Sequence, residues 1–148
     1  MSNVLVRQGD WVVVCDGKKA LVFENVGDTK FISLKAREVY EQPDEKTHEL
    51  GTDAPGRSIN SIDARRSTVE QTDWHDQEEQ RFLQRLAGRL DAEVHAGNAK
   101  SLIVVAPPRA LGVLRQAYSP SLRKALRAEI DRDFVKMPVR EIEKHLAA

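Results

Sequence analysis

The sequence has little of several features that define large classes of proteins. It contains a single cysteine, Cys15, in 148 residues. An internal disulfide is therefore excluded, and a reducing compartment is expected. No apolar run approaches the roughly 18 residues that a membrane span needs, and residues 1–10 lack the apolar core of a signal peptide. We therefore expect a cytoplasmic protein with no membrane partner.

Net charge is also absent, because 23 lysines and arginines balance 23 aspartates and glutamates. This balance excludes a uniformly basic coat protein for nucleic acid and an acidic disordered tail. The zero net charge conceals two local excesses of opposite sign. Residues Glu41–Gly56 hold five carboxylates against one lysine, whereas Pro107–Ala128 hold five cationic residues and no carboxylate. The length fits a single domain over residues 1–148.

The first 40 residues have the pattern of β-strands. Trp11–Cys15 is a continuous β-branched and aromatic run that ends at the turn dipeptide Asp16-Gly17. Ala20–Asn25 follows at hairpin distance, and Phe31–Tyr40 shows a looser alternation. The pattern predicts an antiparallel three-strand meander. Periodicity is absent over residues 41–73, which we interpret as a long loop.

The second half of the chain has a mainly helical pattern. Apolar residues recur at helical spacing from near Asp76 to Val94. Ser101–Ala106 is apolar on both faces, which is typical of a buried parallel strand. The remaining predicted elements are helices over Arg109–Tyr118 and from Pro120 to about Glu129, a strand over Phe134–Met137 and a helix after Pro138.

Aromatic residues make up only 5% of the chain, and their positions divide into two groups. Five occupy predicted core positions: Trp11, Phe23, Phe31, Phe82 and Phe134. The others, Trp74, Tyr40 and Tyr118, are candidates for exposed anchors. The element order, βββαβαβα, predicts an α/β fold with a single three-layer domain and a mixed sheet of about five strands, as in ribonuclease-H-like proteins.

Four spaced motifs resemble the bacterial host attachment protein family. They are Thr72–Phe82, Val104–Gly112, the segment from Leu114-Arg115 to Ser119-Pro120, and Glu129–Phe134. The resemblance extends from Trp11 to Leu146. It implies a protein required for attachment of bacteria to host cells, and a relation to the middle, catalytic domain of archaeal and eukaryotic peptide-release factors, with the same strand order.

The resemblance also implies which loop of this chain corresponds to the catalytic loop of release factors. In release factors, a Gly-Gly-Gln motif lies in the loop between the third strand and the first long helix. Residues Pro55–Ser61 occupy the corresponding place in this chain and have neither the paired glycines nor the glutamine. No catalytic residue is therefore assigned by the resemblance, and the sequence leaves open whether the protein is an enzyme.

Two groups of residues are candidates for RNA or anion binding. One lies in the predicted loop, and the other is the basic tract Pro107–Ala128. Guanidinium groups suit phosphate oxygens, and basic patches gain affinity for RNA by releasing counterions. Arg109 also begins a helix directly after a buried strand, where anions bind readily. For both groups, the alternative is a solvated surface whose cations pair with carboxylates. The candidates are Arg57, Ser58, Arg65, Arg66, Arg109, Arg115, Arg123, Lys124 and Arg127.

These patterns favour a binding protein associated with RNA, tRNA or the ribosome, without Gly-Gly-Gln chemistry. One alternative is an esterase-type hydrolase of peptidyl-tRNA that acts through residues 55–66. Another is a protein–protein adaptor with an indirect role in host attachment. We expect no metal or cofactor, because His75 and Glu79 lack the His-Glu-x-x-His spacing and no glycine-rich phosphate loop is present.

Overall fold

A computed structural model describes residues 5–42 and 61–147, with side chains in the second range from Trp74 onward. Three strands come first, followed by helices and two further strands. The elements are β1 (Trp11–Cys15), β2 (Lys19–Asn25), β3 (Leu34–Glu41), α1 (Ser61–His95), β4 (Leu102–Ala106), α2 (Pro108–Ala117), α3 (Pro120–Ala125), β5 (Leu126–Asp131) and α4 (Val139–Leu146).

The five strands form one mixed sheet in the order β3-β2-β1-β4-β5. β1 pairs antiparallel with β2, and β2 pairs antiparallel with β3. β4 lies parallel to both β1 and β5. The predicted α/β fold, with a mixed five-strand sheet in ribonuclease-H-like order, is therefore confirmed, as is the buried parallel strand predicted for Ser101–Ala106.

Helices cover both faces of the sheet and give the three layers. Alternate side chains of β1 face opposite ways. Val13 and Cys15 join the core under α1, α2 and α3, whereas Val12 and Val14 join the core under α4. Every residue of β1 and β4 is buried, as expected for central strands covered on both sides. No helix within the described residues combines the length and apolar character that crossing a membrane requires.

The first long helix begins earlier than the sequence pattern predicts. α1 is a 35-residue helix that starts at Ser61, so the loop predicted for residues 41–73 is wrong over 61–73. That stretch has few apolar residues and therefore carries no amphipathic signal. It nevertheless contains no proline or glycine and several good helix formers, which allow a helix. The predicted end is right, because Gly97 takes the positive φ of 83° typical of a residue just past a helix.

The last strand and the helix before it also differ from the prediction. Ser119 caps α3 by accepting a hydrogen bond from the Leu122 N–H, as its position before Pro120 suggests. α3 ends at Ala125, however, and the strand follows at once as Leu126–Asp131, whereas the predicted strand Phe134–Met137 is not a strand. Leu126–Asp131 alternates apolar and charged residues, which is the period of a strand. The prediction missed it because the helix after Pro120 was extended to about Glu129.

Three side chains lie opposite to their predicted environments. Phe31 was placed in the core, but it lies before β3 and is 77% exposed. Tyr118 was a candidate for an exposed anchor, but it is buried at the end of α2. The helix predicted after Pro138 was expected to place Val139, Ile142 and Leu146 on its apolar face. Val139 is the first residue of α4 and is exposed, whereas Ile142 and Leu146 are buried. A position near an element end therefore does not fix which way a side chain points.

Candidate anion-binding cleft

A cavity of about 360 Å³ opens at the carboxyl ends of β1 and β4, which are parallel neighbours. The chain leaves β1 toward β2 on one side and leaves β4 toward β5 on the other. Such a switch point is where open α/β sheets bind ligands. We call this cavity the β1–β4 cleft. It is lined by Asp16, Gly17, Lys18, Asp76, Glu79, Gln80, Leu83, Pro107, Arg109, Ala110, Val113 and Lys136.

The turn after β1 forms one wall of the cleft. Asp16 Oδ1 accepts hydrogen bonds from the N–H groups of Lys18 and Lys19, both at 2.8 Å, which fixes the turn. A Cβ atom at Gly17 would lie 2.8 Å from the Glu79 side chain, so only glycine fits against α1 without displacement. Lys18, the next residue of this turn, also lines the cleft.

The beginning of α2 forms the opposite wall. Pro107 and Pro108 end β4 and start the helix, and no side chain caps it. The first N–H that bonds within the helix is that of Leu111, to Pro107 O at 3.0 Å. The preceding N–H groups of Arg109 and Ala110 have no hydrogen-bond partner among the described residues. Exposed N–H groups and the helix dipole make this wall electropositive.

Arg109 bridges the two helices beside the cleft. Its Nη2 lies 2.7 Å from Asp76 Oδ1 on α1, and the two side chains are 71% and 40% exposed. The element order confirms that Arg109 follows the buried strand β4 at the carboxyl edge of the sheet and lies at the start of a helix. An ion pair this exposed contributes only about 0–1 kcal/mol, so another anion can replace Asp76 at little cost.

Three cations and three carboxylates line the cleft, but their partners differ. Asp16 is bonded to backbone N–H groups, Asp76 is bonded to Arg109, and Glu79 packs against Gly17. Neither Lys18 nor Lys136 has a carboxylate within 4.0 Å in the part of the chain that the structure describes. Asp16 and Glu79 likewise have no cation within 4.0 Å among the described residues, so the lining is formally neutral and offers two lysines that are free of ion pairs.

The other members of the basic tract lie away from the cleft. Arg115 Nε bonds to Glu129 Oε1 at 2.8 Å, and Arg123 Nη2 donates to the Arg115 carbonyl at 2.6 Å, so these two arginines are neighbours. Lys124 is exposed on α3. Arg127 bonds to Asp10 and to the Leu5 carbonyl at the amino end of the sheet. The tract therefore divides into separate places, and of its five cations only Arg109 lines the cleft.

The remaining predicted site residues belong to the segment before and within α1. Arg57 and Ser58 lie outside the described residues. Arg65 and Arg66 have helical backbone in α1, and their side chains lie outside the described part. Sequence reasoning missed Lys18 and Lys136. Lys18 could have been found from its place in the turn that follows β1, but Lys136 carries no comparable signal.

Two buried ionisable groups are unsuited to chemistry at this site. Burial raises the pKa of the Cys15 thiol to about 12, and Asp16 adds to the rise. Burial also raises the pKa of Tyr118 well above its usual value, helped by Glu129, whose Oε2 accepts the Tyr118 hydroxyl at 3.1 Å. Both groups therefore stay protonated at neutral pH. Within the described residues, no three His, Cys, Asp or Glu side chains are grouped as metal ligands would be.

Comparison with known proteins identifies the family. The model of the family "Protein required for attachment to host cells" matches residues 11–146. The chain belongs to this family. The match begins at the first residue of β1 and ends at the last residue of α4, so every element of the fold and the whole cleft lie within the host attachment region. The resemblance drawn from the four motifs is confirmed.

The archaeal translation termination factor aRF1 is among the solved structures that are similar to this chain. The similarity covers 92% of this chain and 36% of the factor, with 13% sequence identity and a TM-score of 0.45. This host attachment protein thus corresponds to about a third of that factor's length. No curated protein matches the sequence significantly.

Proposed function

We propose that this member of the host attachment family is a cytoplasmic RNA-binding protein, with tRNA or ribosomal RNA as its ligand, and that a phosphate group occupies the β1–β4 cleft. The observation that carries the proposal is the convergence of Lys18, Arg109 and Lys136 on one cavity at the switch point of the sheet. The uncapped start of α2 adds N–H donors to the same wall.

The chemistry of these groups suits phosphate better than other anions. A guanidinium presents several N–H donors in a plane, and only one edge of Arg109 contacts Asp76. Phosphate offers more acceptor oxygens than a carboxylate, so it can accept from Arg109 and a lysine together. The two lysines act as point charges beside the guanidinium and contribute through counterion release.

The remaining cations of the tract provide a second region of contact. Arg115 lies in the last turn of α2, whose ten residues span about 15 Å from the cleft, and Arg123 lies beside it on α3. Lys124 is on the adjoining α3. An RNA strand that places one phosphate in the cleft and runs along α2 would reach these residues. Arg127 is bound to Asp10 and serves the fold instead.

Binding to tRNA measured at two salt concentrations tests the proposal. Affinity should fall as salt rises, and Lys18→Ala, Arg109→Ala and Lys136→Ala should each weaken binding and reduce the salt slope by about 1. Arg140→Ala is the matched control, because Arg140 is an exposed arginine on α4, across the sheet. Absent or salt-independent binding, or equal losses in the control, would overturn the proposal.

The same preparation distinguishes the two alternative functions. Turnover of peptidyl-tRNA that Arg57→Ala or Ser58→Ala abolishes would identify a hydrolase acting through residues 55–66. Affinity capture that returns proteins but no RNA would identify an adaptor. Either result would replace RNA binding as the main function.

A further inference from the structure

The outer edge of β3 has no partner strand among the described residues. β3 is the end strand of the sheet, and its other edge pairs with β2 from Leu34 to Glu41, with Arg37 as the extra residue at the register shift. Lys35, Ala36, Arg37 and Val39 are exposed, and Val39 remains 53% exposed although it is apolar. A long exposed edge with an apolar side chain is a surface on which another strand can pair.

The pairing with β2 determines which backbone groups of β3 point outward. Gln42 N–H donates to the Lys18 carbonyl, and Val26 N–H donates to the Ser33 carbonyl. Hydrogen-bonded pairs alternate along an antiparallel ladder, and the register shifts by one residue opposite Val22. The residues whose N–H and C=O groups face away from β2 are therefore Leu34, Ala36, Val39 and Glu41.

These four outward residues match each other in one antiparallel register. We propose that β3 pairs with β3 of a second copy of this chain, about a twofold axis between Arg37 and Glu38. Ala36 is then opposite Val39 of the second copy, and Leu34 is opposite its Glu41. Both residues of each pair have N–H and C=O groups that point outward. This holds on both sides of the axis because the irregularity in β3 of one copy lies opposite the same irregularity in β3 of the other. The result is a closed symmetric dimer with a continuous ten-strand sheet.

Side-chain directions agree with this register. Leu34 belongs to the core under α4, and Val39 pairs with Leu21, which packs against that core. Ala36 lies two residues from Leu34, so it shares this face. In the dimer, the exposed Val39 side chain is covered by the second copy's Ala36. Apolar residues thus meet apolar residues on one face of the joined sheets.

Charges agree as well. Arg37 lies over the Trp11 ring, 4.6 Å from its centroid, on the face covered by α1. Glu38 is two residues from Tyr40, which packs against the same core, so Glu38 shares this face. The register places Arg37 opposite the second copy's Glu38. Charged side chains on an edge strand disfavour pairing with most other strands, but β3 is basic in its first half and acidic in its second, which makes it complementary to a second copy of itself. Antiparallel pairing of two copies therefore brings opposite charges together.

The molar mass across a concentration series tests whether the dimer exists. Light scattering should give a mass that rises from 16.7 kDa toward twice that value. Val39→Pro should abolish the rise without unfolding the chain, because the Val39 N–H points outward and proline is tolerated at such an edge position. Val139→Pro is the control, since Val139 is an exposed valine in the first position of α4. A monomer at every concentration, or a dimer that survives in Val39→Pro, would overturn the proposal.

A cross-link tests the register itself. Opposed residues in a hydrogen-bonded antiparallel pair have Cα atoms about 5.5 Å apart, a separation that a disulfide can span. The double variant Ala36→Cys, Val39→Cys should therefore form a covalent dimer on mild oxidation, while Ala36→Cys, Val139→Cys should not. Cys15 is buried and does not compete. A dimer that the first double variant fails to cross-link would contradict this register.

Discussion

The guanidinium of Arg109 and the carboxylate of Asp76 lie 2.7 Å apart and join the first turn of α2 to α1 beside the β1–β4 cleft. The pair holds the arginine in place while leaving most of its surface in solvent. It also lowers the positive charge that the cleft offers to an anion, and this charge balance can be altered by a single substitution.

Removing the carboxylate should strengthen anion binding. We expect Asp76→Asn to bind tRNA about threefold more tightly, equivalent to about 0.7 kcal/mol, because Arg109 loses its competing anion. The control is Glu78→Gln, which removes the same charge from α1 at a glutamate paired with Arg81. Titrations of tRNA at fixed ionic strength measure both variants. Equal affinity gains in the two would mean that only net charge matters.

The close contact between Gly17 and Glu79 should make the free energy of unfolding sensitive to a side chain at position 17. Gly17→Ala places a Cβ 2.8 Å from the Glu79 side chain, so we expect the free energy of unfolding to fall by about 1–3 kcal/mol. The companion change Glu79→Ala should restore most of the loss in a double-mutant cycle. In contrast, Gly88→Ala in α1 meets no atom within 4 Å and should stabilise the protein by about 1 kcal/mol. Urea denaturation provides all four values.

The two faces of α4 should respond very differently to truncation. Ile142 is fully buried in the core under α4, so Ile142→Ala should lower the free energy of unfolding by about 2–5 kcal/mol. Val139 is exposed on the same helix, and Val139→Ala should change it by less than about 0.5 kcal/mol. Comparable losses at both positions would show that α4 packs through a different face.

Alkaline pH should destabilise the fold. The Cys15 thiol ionises near pH 9 when unfolded, but its pKa in the folded protein is about 12. Above pH 9 the unfolded chain therefore binds fewer protons than the folded one, and stability falls as pH rises through this window. Tyr40 acts in the same direction, because burial raises its pKa from 10.0 to about 12. Cys15→Ala should show a shallower decline in denaturation profiles between pH 9 and 12, and a decline as steep as that of the parent would contradict the assignment.

The sequence by itself determined the local elements of this protein. Elements that depend only on neighbouring residues can be predicted from the sequence alone. They are the β-branched run of β1, the Asp16-Gly17 turn, the apolar β4 and the Ser119 cap. The family motifs likewise lie within contiguous segments. These features were sufficient to predict the fold class, four of the five strands and the position of Arg109 after β4, whereas the fifth strand was placed at the wrong residues.

Only the tertiary structure decided which residues meet. The segment Ser61–Asp73 lacks an apolar stripe, so periodicity does not reveal its helix. Leu126–Asp131 alternates as a strand does, but its pairing with β4 decides that it is a strand and not the end of the preceding helix. The partners Asp76, Glu129 and Asp10 of the arginines lie on other elements of the fold. A basic tract in sequence thus became separate sites in space, because charge pairing depends on distances of a few ångströms across the fold rather than on separation along the chain.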